Sequence, residues 1–311
     1  MKSWVLATVV VTVMLLAPAR SFVAGQQQGS GGDQARGDQA GRAGRQGGGA
    51  ARGGGGGLGN KAPNLPAGAF TAGSTVDRTA LKHEWIDVSL GNTKVRTWVE
   101  YPAGSDPAPV VLVMSHEAGL DDWMRGIADQ LALDGFIAVA PDILSGMGPR
   151  GGNFDAFPFE ADVIQATAKI SPAESLRRYK AAYDYIVKLP RASGKRGSLG
   201  VGLGGADSFR FAAETPDLNA AVVFYGSSPE ESVLTKLRVP VLGLYGEDDP
   251  RVMETVRAAE AVAKRLGKMY EARVFPGATQ AFMRSTVEGQ NGAAVAAAWP
   301  AAIQFLQLHL R

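Results

Sequence analysis

Residues Gly200-Val201-Gly202-Leu203-Gly204-Gly205 separate an apolar run, Ser198 to Val201, from a stretch with helical spacing. Small residues this dense between a strand and a helix mark a sharp turn, because larger side chains would clash with the tightly turning backbone. A turn of that kind displays its central side chain, and a Ser or Cys displayed there is a nucleophile. Here the central residue is Gly202, which brings neither an attacking atom nor a proton. Ser208, six residues on along the expected helix, reads as a packing or surface serine rather than a displaced nucleophile. Other residue types that do chemistry stand at the ends of apolar runs: Ser115, His116 and Glu117 after Pro109 to Met114, and Glu247, Asp248 and Asp249 after Val241 to Gly246. His116 and Glu117 are candidates for activating a water directly. A strand-end histidine pointing away from the glutamate is the structural alternative. His83 and His309 join no spacing that resembles a metal site, and no metal or cofactor is expected.

These residues need a scaffold, and the rest of the chain predicts one. Lys82 to Ser89 and Thr93 to Tyr101 read as a hairpin across Leu90-Gly91-Asn92. Then the period changes. Pro109 to Met114, Phe136 to Ala140, Ser198 to Val201, Ala220 to Phe224, Val241 to Tyr245 and Tyr270 to Val274 are strand-like runs. Helical stretches separate most of them: Asp121 to Leu133, Leu203 onward, Pro229 to Leu237, Val252 to Leu266, and a closing helix over Ala294 to Leu308. Ser171-Pro172-Ala173-Glu174 announces another, to about Val187, with a serine cap, a first-turn proline and a capping-box glutamate. Leu144 to Ile170 lacks periodicity and reads as an excursion over the sheet. Strand and helix in alternation predict an α/β fold with a doubly wound, mostly parallel sheet, whose ligands sit at the carboxyl ends of the strands. Trp85, Trp98, Trp123 and Trp299 read as core.

The whole chain bounds the function. Its 311 residues, 45% of them hydrophobic, suit one large domain, and a net charge of +2 with scattered Lys and Arg predicts no nucleic-acid partner. Lys2, the apolar stretch Trp4 to Leu16 and the small residues Ala17-Pro18-Ala19 and Val23-Ala24-Gly25 predict a signal peptide over 1–25. The protein is therefore expected to be exported, to the periplasm or outside the cell, with a membrane attachment only if that segment stays uncleaved. Residues 26–76, rich in Gly, Gln, Ala and Arg, predict a disordered tether, leaving 77–311 as the folded domain. With no cysteine in the chain, there is neither a disulfide nor a Cys nucleophile.

Five stretches in order resemble the dienelactone hydrolase family of α/β-hydrolases, over nearly all of the chain from about residue 80. They are Val111 to Leu120, the glycine-rich turn, Val241 to Asp249, Phe275 to Phe282, and the tail Ala294 to Leu310. The resemblance implies that Gly202 holds the nucleophile position, Asp249 the catalytic acid and Gln280 the position of the histidine base. It assigns Glu117 to the family's active-site glutamate and Arg284 to a place where some members hold a substrate carboxylate. Leu203 and Ala118 would supply the backbone donors of an oxyanion hole.

Acyl transfer through a covalent intermediate requires a hydroxyl or thiol with an adjacent base, and glutamine does not shuttle protons near neutrality. The leading expectation is thus a degenerate hydrolase, a pseudoenzyme binding a small carboxylate- or carbonyl-bearing ligand, with the Gln280 amide donating to Asp249. One alternative is a working ester or lactone hydrolase using water activated by Glu117 or His116. Another is an interaction module with a vestigial pocket.

Overall fold

The computed structural model describes residues 64–186, 188–284 and 289–311. The signal segment and the tether as far as residue 63 lie outside the described residues. The hairpin forms as expected, β1 (His83–Leu90) against β2 (Thr93–Glu100), turning through Gly91 at φ 62°. Six further strands follow: β3 (Ala108–Met114), β4 (Ile137–Pro141), β5 (Ala192–Val201), β6 (Ala220–Phe224), β7 (Val241–Asp248) and β8 (Tyr270–Thr279). They join one eight-stranded sheet in the order β1-β2-β4-β3-β5-β6-β7-β8. β1 pairs antiparallel with β2, and β2 with β4; every later pairing is parallel.

Alternation within the buried strands sorts the core into two layers. Val111 and Val113 of β3 face a cluster with Trp123, Ile127 and Trp299, whereas Val110, Leu112 and Met114 face one with Tyr179, Tyr183 and Phe209. The first face is covered by α1 (Ala72–Val76), α2 (Asp122–Leu133) and α8 (Gly289–Leu310). The second is covered by α4 (Pro172–Ile186), α5 (Leu203–Glu214), the short α6 (Glu231–Leu234) and α7 (Pro250–Arg265). By length and composition α8 is apolar enough to cross a membrane, but its Val295, Ala298, Trp299, Ala302 and Leu306 are buried against the sheet. All four tryptophans expected in the core pack there, Trp85 from its margin.

Local signals work where the side chains carry them. Ser171 Oγ accepts from the Glu174 N–H at 3.2 Å, although the Glu174 carboxylate turns to Arg177 and Arg178 instead of closing the box. Two expectations need correction. The excursion contains a helix, α3 (Glu160–Thr167), whose eight residues bury only Val163 and Thr167 and lack a side-chain N-cap, so no period stands out in the sequence. The folded region also begins earlier than residue 77, since α1 lies on α2 with Ala72 and Val76 buried. Small residues make that contact: a Cβ on Gly126 would stand 3.1 Å from the Ala72 Cβ. Packing of glycine on alanine leaves no large apolar residue to read.

Candidate functional site

The glycine-rich turn is an elbow between β5 and α5, held from three sides. Gly202 adopts φ 58°, ψ −118°, its N–H donates to the Phe224 carbonyl at 3.0 Å, and it occupies the N-cap of α5. A Cβ on Gly200 would fall 1.9 Å from the Gly204 carbonyl oxygen, one on Gly204 2.2 Å from that of Met114, and one on Gly205 2.8 Å from that of Phe224. Side chains are thus excluded at all three positions by backbone atoms. Gly202 itself is different. A Cβ there meets the Glu117 carboxylate, Oε2, at 2.9 Å and the His116 Cβ at 3.6 Å, both of them side-chain atoms. The elbow has room for a side chain at its centre, at the cost of a backbone conformation that L-residues rarely adopt.

The end of β3 brings Ser115, His116 and Glu117 to this spot. Glu117 is exposed toward the elbow, and His116 is buried at 4% exposure. The His116 Nε2 lies 3.0 Å from Asp121 Oδ2, and the ring packs edge-on against Trp123. Arg284 Nη1 reaches both ring nitrogens at 3.2 Å and Asp121 Oδ2 at 3.6 Å, with its guanidinium 5.0 Å over the Trp123 ring. The Ala118 N–H also points to His116 Nδ1, at 3.4 Å. The ring is thus held between the Asp121 carboxylate and the Arg284 guanidinium. Ala118 therefore directs its N–H within its own loop, whereas Leu203 stands at the first turn of α5, where an anion meets the positive end of the helix.

The acid and base positions are neighbours that do not engage. Register pairs Asp248 with Thr279, so Asp249 and Gln280 follow side by side at the carboxyl edge of β7 and β8. Asp249 is buried and caps α7, its Oδ1 accepting from the Val252 N–H at 3.2 Å, while Asp248 is exposed. Its Oδ2 is buried without a partner, and the Gln280 side chain is exposed. The expected hydrogen bond from Gln280 to Asp249 is not made. Thr279 is anchored to Asn291, its N–H donating to Oδ1 at 3.0 Å, and the chain turns at Ala281 with φ 58°, leaving the glutamine in solvent.

Ser208 is a packing residue, fully buried between Ser198 Oγ at 2.8 Å and the Val222 carbonyl at 3.1 Å. His83 stacks on Trp98 and His309 packs on Phe305. Among the described residues no cluster of three metal-ligating side chains occurs. Three members of the site do not read as site residues in the sequence: Asp121, which reads only as a helix start, Trp123, which reads only as core, and Tyr225. Asp121 looks like a helix cap and serves as one, its Oδ1 accepting from the Met124 N–H at 2.9 Å while Oδ2 holds His116. Tyr225 follows β6 at φ 40°, with its hydroxyl buried and unpartnered. Burial pushes its phenol well above the usual range, with Arg284 opposing the rise and Glu117 adding to it. Its signal was a hydroxyl-bearing aromatic closing an apolar run, Phe224-Tyr225-Gly226, at the edge where ligands bind.

An eight-stranded mixed sheet in this order, with a strained strand-to-helix elbow at the carboxyl edge and an acid after β7, defines an α/β-hydrolase. The dienelactone hydrolase family model matches residues 95–310, and the chain belongs to that family. A "Putative carboxymethylenebutenolidase" of Salmonella typhimurium is 27% identical over 257 residues, covering 75% of this chain and 93% of that protein. A Saccharolobus solfataricus protein of the same description is 26% identical, over 69% of this chain and 94% of its own. Among solved structures, the dienelactone hydrolase of Anabaena variabilis shares the fold at a TM-score of 0.59 and 20% identity, covering 75% of this chain and all of its own. A dienelactone-hydrolase-like promiscuous phosphotriesterase from metagenomic libraries does so at 0.61 and 24%, with the same coverage.

Proposed function

We propose that this family member is exported and binds a small carboxylate- or carbonyl-bearing ligand beside the elbow without forming a covalent intermediate. The observation that carries the reading is a set of buried polar atoms without partners at the carboxyl edge: Ser115 Oγ, Trp123 Nε1, Tyr225 OH and Asp249 Oδ2. Buried polar groups are costly unless satisfied, so the open groups of Trp123 and Tyr225, the two of these residues near Arg284, favour a polar ligand over a vestigial pocket. Gly202 supplies no attacking atom and Gln280 no proton relay, which closes the covalent route. Thermal shift with acetate, a γ-lactone and a small ester tests binding, and no shift with any of them overturns it. Restoring Gly202→Cys together with Gln280→His tests the assignment of positions. The pair is expected to hydrolyse small esters, and each single change to do little, because nucleophile and base act as a unit. Export rests on the Lys2 and Trp4 to Leu16 pattern and is checked by fractionating cells that express the full chain.

One observation favours the second reading, a working hydrolase. His116 and Asp121 at 3.0 Å form an oriented histidine–carboxylate pair beside the elbow, with the Glu117 carboxylate on the other side. Either His116 or Glu117 would take a proton from water as its oxygen adds to the carbonyl carbon, the alkoxide leaving with a proton. Hydrolysis of para-nitrophenyl acetate that vanishes in Glu117→Gln or His116→Ala selects this reading, and rates unchanged in both reject it.

A further inference from the structure

A cleft of about 770 Å³ opens against Arg284 and Asp121 of the His116 cluster, lined further by Phe70, Asp122, Trp123, Phe154 and Glu160. Its aromatic walls come from three separate segments: Phe70 precedes α1, Trp123 lies in the first turn of α2, and Phe154 begins a 3-10 turn in the excursion. The first wall lies outside the stretch that matches the family, which starts at residue 95. Residues 64–76 are fastened there, with the Ala69 N–H donating to the Arg284 carbonyl at 3.4 Å and Ala72 seated on Gly126. The segment thereby holds Phe70 at 81% exposure on the lining of a polar cleft. Phe70, Trp123 and Phe154 together give the cleft aromatic walls beside its charged groups.

The charges specify the rest of that partner. Arg284 spends Nη1 on His116 and Asp121, lies flat over Trp123, and among the described residues has no protein acceptor for Nε and Nη2. That leaves one edge with the geometry for a single carboxylate. Asp121 is paired with Arg284 and Asp122 with Arg125, so Glu160 is the lining acid without an ion pair among the described residues, and a second negative charge on the ligand would meet it.

We propose that the cleft selects an aromatic monocarboxylate, or an ester of one, its ring against Phe70 and Phe154 and its carboxyl group on the free edge of Arg284. The inference rests on the ligand-binding reading above and adds the class of ligand. Titration calorimetry of the full chain with benzoate, cyclohexanecarboxylate, phthalate and acetate tests it. Benzoate is expected to bind about fivefold or more tighter than cyclohexanecarboxylate, the factor that roughly 1 kcal/mol of ring contact gives. Phthalate, carrying a second carboxylate, is expected to bind more weakly than benzoate. Phe70→Ala, a change at an exposed residue, should erase the preference for benzoate and leave acetate unchanged. Equal affinity for the flat and puckered rings, or a benzoate affinity indifferent to Phe70→Ala, overturns the aromatic class while leaving a carboxylate site standing. No binding of any of the four carboxylates overturns this inference together with the carboxylate arm of the reading beneath it, and a lactone that still shifts the melting temperature then separates the two.

Discussion

The elbow at Gly202 and the corner of Asp249 and Gln280 are the two regions that the proposed assignment joins, yet the fold treats them differently. At the elbow the steric frame is complete without its chemistry, because Gly200, Gly204 and Gly205 are pressed against backbone carbonyls. At the corner the chemistry is half present without its frame: Asp249 is in place and buried, while Gln280 beside it faces solvent. Strand-to-helix packing enforces the first geometry, which survives any change at Gly202. The second geometry would rest on a single side-chain contact, which the exposed Gln280 amide does not make.

The contrast breaks most visibly at Gly204. A Cβ there stands 2.2 Å from the Met114 oxygen and 2.5 Å from that of Ser115, so Gly204→Ala must push β3 and α5 apart. The expected loss is about 3 kcal/mol or more, read from urea unfolding, or failure to fold. A loss below about 1 kcal/mol would show that the elbow is softer than its contacts imply.

Such comparisons require a fixed pH, since buried acids on other elements, Glu100 among them, titrate differently in the folded and unfolded chain. Glu100 on β2 is fully buried, with Trp98 Nε1 donating to its Oε2 at 3.0 Å. Burial pushes its carboxyl from 4.5 up to about 8, Trp98 opposing and the neighbouring Asp129 adding to the rise. The folded chain keeps this proton where the unfolded chain releases it, so the unfolded state binds fewer protons between those values. Stability should fall as pH rises from about 4.5 toward 8 and level off above. Glu100→Gln should flatten that slope, and a persistent slope would assign it to other groups.

Gly202→Ser gives the intermediate effect. Its Cβ meets only the Glu117 and His116 side chains, which can yield, so the cost is the backbone conformation at φ 58°. We expect a loss of about 1–3 kcal/mol, less than at Gly204, with no gain in ester hydrolysis while Gln280 remains.

How far all this was legible follows from what each feature depends on. Buried parallel strands are written as continuous apolar runs, and the elbow as glycines that tolerate no substitute, so both stand in the sequence. Asp249 was legible only through the resemblance, since Glu247 and Asp248 beside it are carboxylates too. By contrast α1 rests on glycine and alanine, and α3 buries two residues, so neither left a period to find. The cluster of His116, Asp121, Trp123 and Arg284 was half legible. His116 and Arg284 end or follow apolar runs, but Asp121 spends one oxygen as an ordinary helix cap and conceals its second role. Whether Gln280 touches Asp249 depends on rotamer and turn geometry, which no spacing encodes.

The smallest effect tests what Asp249 now does. If the corner has no catalytic partner, the value of this residue is its cap on α7, made by Oδ1 alone, with Oδ2 contributing nothing. Asp249→Asn keeps an oxygen for the Val252 N–H and should change stability by no more than about 0.5 kcal/mol, whereas Asp249→Ala should cost about 1 kcal/mol. The order matters more than either value. In the chain that also carries Gln280→His the asparagine change should become costly to any restored activity, because Oδ2 would then orient an imidazole. Equal costs for Asn and Ala in the parent chain would show that the second oxygen matters even without the histidine, and the corner would then be as strictly framed as the elbow.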